Sequence, residues 1–132
     1  MFFFYCPGSL RSIRQERCNV IVSIFTGNVE LLRPVDEQWS LEIRNNDFGI
    51  KADIEKHLIE LQKLIDDENS DLLVLSDGEE IIGYMGLVTF VSPVGDQLVA
   101  NEHCWFVLSS RRSLGSVSLF RKAMEWSKNK GG

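Results

Sequence analysis

Residues 71–91 read DLLVLSDGEEIIGYMGLVTFV, two apolar runs, Leu72–Leu75 and Ile81–Val91, around Ser76-Asp77-Gly78-Glu79. An Asp-Gly pair between apolar runs is a strong short-range signal for a β-hairpin. Both runs are apolar at nearly every position instead of at alternate ones. A strand of that kind avoids water on both sides, so the sheet must be covered on both faces. Gly83 and Gly86 inside the second run mark close backbone approach or a bulge.

The rest of the chain has to supply those covers. Asn19–Phe25 (NVIVSIF) is β-branched and ends at Thr26-Gly27-Asn28, a candidate strand and turn. Val29–Arg33 reads as a second short strand stopped by Pro34, with Asp36 capping a helix from near Glu37 that carries Trp39, Leu41 and Ile43. Asn45-Asn46-Asp47 and Gly49 break it. Ile50, Ile54, Leu58, Leu61 and Ile65 then recur three or four residues apart, the clearest amphipathic helix in the sequence. His57 on that helix reads as structural or solvated. Leu98–Leu108 is a long strand, and a last helix runs from about Ser116 to Lys130, its inner face Leu119, Phe120, Ala123, Met124 and Ser127. The order predicts an α/β chain of the α+β type, with helices on a mixed, mostly antiparallel sheet.

At 132 residues there is room for one real core. A net charge of −5 argues against a general nucleic-acid binder. Cys6, Cys18 and Cys104 are odd in number and widely spaced, which gives neither a disulfide framework nor a zinc site. They read as reduced thiols of a cytoplasmic protein. Met1–Cys6 is too short for a signal core and no stretch approaches ~18 apolar residues, so neither secretion nor a membrane partner is expected. Phe2-Phe3-Phe4-Tyr5 reads as an edge strand or docked arm, or as a contact for a membrane or a partner.

The remaining feature is a joint. Cys104–Leu108 (CWFVL) is followed by SSRRSLGSVSLFRKAMEW, an apolar strand, a basic small-residue turn and a helix. The first turn of a helix presents unpaired N–H groups, so such a joint suits an anion. With ELLRPVDEQW and DLLVLSDGEEIIGYMGLVTF before it, the chain resembles the GNAT superfamily of acetyl-CoA-dependent N-acyltransferases, especially compact members from phages and mobile elements. The likeness runs from Val29 to Gly131. It implies a domain over residues 28–132 after an N-terminal arm over 1–27.

The family's phosphate loop reads Gln/Arg-x-x-Gly-x-Gly/Ala. One register puts its arginine at Arg112 and its glycine at Gly115; another uses Arg111, Leu114 and Ser116. The resemblance thus implies acetyl-CoA, or CoA, held by Phe106, Val107, Leu108, Arg111, Arg112, Ser113, Leu114, Gly115 and Ser116. It also implies a small-molecule or protein amine as acceptor. Strand alternation would put Glu102, Cys104 and Phe106 on one face, making Glu102 the candidate base, directly or through water; a solvated strand-end carboxylate is the other reading. Tyr84 is a second catalytic candidate, or a packed tyrosine.

The family continues beyond its third helix, whereas this sequence stops at Gly132, so a C-terminally truncated version is expected. The strand containing Trp105 would then lack a neighbour, and either a homodimer or Asn19–Phe25 would cover it. A degenerate cofactor-binding or dimerising module and a mobile-element interaction protein remain as alternatives to an enzyme.

Overall fold

The computed structural model describes residues 20–43 and 51–130, apart from the side chains of Ser113 and Leu114. The expected aromatic arm at Phe2–Tyr5, Cys6, Cys18, the helix break at 45–49 and Ile50 lie outside these residues. Strand β1 (Val20–Ile24) is followed by a 3-10 turn (Val29–Leu32), helices α1 (Arg33–Ile43) and α2 (Ile54–Asp66), and strands β2 (Ser70–Asp77), β3 (Glu80–Val91) and β4 (Leu98–Val107). A second 3-10 turn (Ser109–Arg111) leads into α3 (Arg112–Asn129). The four strands form one sheet in the order β1-β2-β3-β4, antiparallel throughout.

The hairpin forms as its sequence dictates. Asp77 pairs with Glu80, and Gly78 takes φ 63°, a conformation that suits glycine. Strand β2 is covered on both faces: Leu72 and Val74 face the α1/α2 layer, while Leu73 and Leu75 face α3. Helix α2 begins later than its apolar pattern suggests, because the Asp53 side chain accepts from the N–H of Lys56 and caps it there. It buries Leu58, Leu61 and Leu64, each worth about 1.5–3 kcal/mol.

Three expectations need correction. Val29–Leu32 is a 3-10 turn, not a strand, since the Asn28 side chain accepts from the N–H of Glu30 and starts a helical turn. Pro34 sits in the first turn of α1, where its missing N–H costs nothing. Asp36 therefore lies inside the helix and fully buried, and does not cap it. On α3 the inner face carries Leu119 and Trp126, while Phe120 (55% exposed) and Met124 (49%) face outward. Trp126 Nε1 donates to Asp71 Oδ2 at 2.7 Å and ties that face to β2.

Val20–Ile24 pairs with β2, at the sheet edge opposite β4. It does not cover β4, whose outer edge has no strand partner among the described residues.

Gly115 is buried at the start of α3, and a Cβ there would come within 2.1 Å of Leu75 Cδ2. A side chain at position 115 therefore requires the Leu75 side chain to move. Gly115→Ala is expected to cost about 1–3 kcal/mol through overpacking. Urea denaturation measures it, and unchanged stability would show that α3 is not seated on Leu75.

Candidate cofactor cleft

The joint between β4 and α3 is built from the sheet outward. Beyond Val107 the chain makes the short 3-10 turn and enters α3 at Arg112. Arg111, at the N-cap of α3, makes no side-chain capping bond, so the first turn receives no cap from it. Arg112 and Ser116, one turn apart, line a cleft of about 200 Å³ whose other wall is Trp105, Phe106 and Val107. The positive end of the helix therefore borders a hollow floored by a strand edge, a favourable setting for an anion on an extended apolar tail.

Four of the residues expected to hold a cofactor, Phe106, Val107, Arg112 and Ser116, meet in this cleft. Leu108 lines a different groove, between α1 and β3. Gly115 is accounted for by its contact with Leu75. The backbone of Ser113 and Leu114 belongs to the first turn of α3.

Both arginines have carboxylate partners. Arg111 donates through both terminal nitrogens to Asp77 Oδ2, at 2.7 and 2.6 Å, and so braces the hairpin end. Arg112 donates to Glu42 at the end of α1, while its Nε donates to the Val107 carbonyl at 2.9 Å. Its guanidinium lies 5.6 Å from the centre of the Phe106 ring. A group with more negative charge than one carboxylate competes well for Arg112, because the pair is about half exposed.

The two catalytic candidates take different places. Gly86 pairs with Cys104 but Leu87 pairs with Glu102, leaving His103 as an extra residue in β4. That bulge resets the alternation. Leu87 belongs to the α3 face and Cys104 to the α1/α2 face, so Glu102 does not share a face with Cys104 and Phe106 as strict alternation requires. Glu102 is exposed beside the bulge. Tyr84 is fully buried, and its hydroxyl donates to Asp36 Oδ1 at 2.9 Å. Burial first, then the charge of Asp36, pushes its pKa well above the usual tyrosine value.

Asp36 is the centre of a network that sequence reading missed. His57 Nδ1 donates to both of its oxygens, at 2.7 and 2.9 Å, and Trp39 stacks on the His57 ring at 3.9 Å. The carboxylate is thereby satisfied from α2 and β3 at once, as a fully buried charge requires. Polar residues at 36, 57 and 84 carry no periodic signal that would have joined them. Trp105 and Glu42 are likewise additions of the structure to the site. Among the described residues no three His, Cys, Asp or Glu side chains are grouped to hold a metal. No described helix is long and apolar enough to cross a membrane.

Solved structures share this architecture. A GNAT family acetyltransferase of Staphylococcus aureus matches 86% of this chain and 81% of its own, with a TM-score of 0.63 at 18% identity. The fold is that of the GNAT acetyltransferases. An aminoglycoside acetyltransferase from an uncultured soil metagenomic sample, in complex with sisomicin, matches 86% of this chain and 72% of its own at TM-score 0.62 and 16% identity. AAC(6')-Iy, in complex with the bisubstrate analog CoA-S-monomethyl-acetylneamine, matches 85% and 74% at TM-score 0.63 and 19% identity. No family model and no curated protein matches the sequence. The kinship with the GNAT proteins is one of fold.

Cys104 borders this region and is the one cysteine among the described residues. Burial first raises its thiol pKa to about 12, further helped by the charges of Glu102 and Asp36. A raised thiol pKa means neutral sulfur, hence a poor nucleophile, at every pH below it. Iodoacetamide at pH 8, read by peptide mass spectrometry, should alkylate Cys104 in the folded chain on the order of a hundredfold or more slower than in the unfolded chain. Equal rates would contradict the buried setting.

Proposed function

We propose that this chain binds acetyl-CoA in the cleft beside β4 and transfers the acetyl group to an amine, as a cytoplasmic protein. One observation carries the reading. In a GNAT fold, the start of α3, Arg112 and the strand edge Trp105–Val107 converge on one hollow. These residues fit the cofactor: backbone N–H groups and Arg112 for its phosphates, the Trp105–Val107 edge for its arm. Acetyl-CoA supplies an activated acyl group when bound. The chain's part is to orient it, to carry charge at the phosphates, and to take a proton from the amine. Glu102, exposed beside the β4 bulge, is the proposed base, acting through water.

A specific observation favours a second reading, cofactor binding without turnover: the other candidate acid–base group, Tyr84, is buried and committed to Asp36. Two measurements separate the readings. Acetyl-CoA at a hundredfold excess over its dissociation constant should stabilise the chain by about 2.7 kcal/mol in thermal melts. Arg112→Ala should remove most of that gain, and Arg111→Ala, whose partner is Asp77, less. No stabilisation at millimolar acetyl-CoA would overturn both readings. Thiol release with polyamines, aminoglycosides or peptides, slowed by Glu102→Gln, would establish the transferase; release unaffected by that change would show the base lies elsewhere.

We also propose a symmetric dimer. The outer edge of β4 lacks a strand partner among the described residues, and Val117, Phe120 and Met124 form an exposed apolar stripe on α3. Leu98–Asn101 is free to pair with its own copy about a two-fold axis, leaving the cleft at Trp105–Val107 open. Sedimentation at micromolar concentration should give a species of twice 15.1 kDa. A soluble species at that single mass would contradict the dimer.

A further inference from the structure

Strands β3 and β4 run on past the rest of the sheet. Pairing of β2 with β3 stops at Ser70 and Val88, while β3 and β4 stay paired through Thr89↔Ala100, Phe90↔Val99 and Val91↔Leu98. A two-stranded ribbon is marginal in water unless something packs on it. This one ends in the turn 92–97, closed by the Ser92 N–H donating to the Gln97 carbonyl at 2.8 Å. Over residues 88–101 the only charged side chain is Asp96. Phe90, Val91 and Leu98 are exposed, and Val94 at the tip is 94% exposed, so the described residues of a single copy leave the tip bare. The same strand β4 carries another exposed apolar residue, Trp105 (43%), which walls the cleft beside Phe106 and Val107.

We propose that in the dimer the partner's Val94 comes to Trp105 and walls that end of the cleft, so that each site is completed by the other copy. The register of the pairing decides this. When two copies of one strand pair antiparallel about a two-fold axis, some residue must lie opposite itself, because opposed residues share a face. Centred within residues 98–101, that residue is Val99 or Ala100. Trp105 is six residues from Val99 and five from Ala100, and the bulge at His103 removes one step from either count. The same five or four steps along the partner strand end at position 94 or 96, within its turn. At about 3.4 Å per residue, Trp105 and the partner's tip both lie roughly 14–17 Å from the axis. The turn ends there, so Phe106, Val107 and the start of α3 stay open to a cofactor. Two apolar groups that each copy leaves in water thereby cover one another. The partner's Val94 adds an apolar contact for a bound arm at the end of the cleft on the Glu102 side.

The inference rests on the dimer and the cleft as proposed above and adds the residue that one copy lends to the other. The photo-crosslinker p-benzoylphenylalanine, placed at position 94 of the full chain, tests it in a mixture of isotope-labelled and unlabelled copies. So exposed a position tolerates the replacement without disturbing the fold of either copy. Sedimentation first establishes the dimer. Irradiation should then join labelled to unlabelled copies, with the adduct found by mass spectrometry on the peptide that carries Trp105 of the partner subunit. A dimer whose adduct lies elsewhere, or within one copy, overturns the inference and leaves the dimer standing. A monomer overturns both. Affinity for acetyl-CoA gives an independent reading: Val94→Asp should bind it about fivefold or more weakly, because a charge replaces the apolar wall. Equal affinity in a variant that still sediments as a dimer removes Val94 from the site.

Discussion

The first turn of α3 lies close on the Leu75 side chain, which would have to move to admit even a methyl group at position 115, and the cleft depends on that contact. Because the helix is seated so low, Val107 passes into α3 through only Leu108 and three residues of 3-10 turn. The start of the helix is thereby held beside the edge of β4. A looser seat would move the first-turn N–H groups away from Trp105–Val107 and open the hollow. Trp126, bonded to Asp71 three turns further on, fixes the other end of the same helix face. The position of the cleft is thus a packing property before it is an electrostatic one.

The other layer is held by a charge. Asp36 sits with no exposure between α1, α2 and β3, and its oxygens accept from His57 and Tyr84. A buried carboxylate adds little net stability compared with a well-packed apolar group, but losing one of its donors is costly. It therefore fixes one relative placement of the two helices over β3 more than it strengthens the core. That placement sets the end of α1, and with it Glu42, against Arg112.

Features written in local pattern were legible in the sequence. The hairpin around Gly78, the apolar stripe of α2 and the long run of β4 all came from periodicity and turn chemistry, and together they gave the layer order. The errors came where a local signal has two meanings. Pro34 ends a strand or begins a helix, and the Asn28 side chain decides for the helix. Strict alternation placed Glu102 with Cys104, but one extra residue in β4 separates their faces. The partners of the two arginines were beyond reach, since Asp77 and Glu42 lie 34 and 70 residues away in sequence. The loop's small residues and charges pointed to the joint; which of them face the cleft was settled by packing.

A crystal structure of the chain with CoA tests the central claim most directly. The account places the pyrophosphate on the first-turn N–H groups of α3 and the arm along Trp105–Val107, with Arg112 turned from Glu42 toward phosphate. CoA bound elsewhere on the chain, or along β4 with its phosphates away from the start of α3, would contradict it.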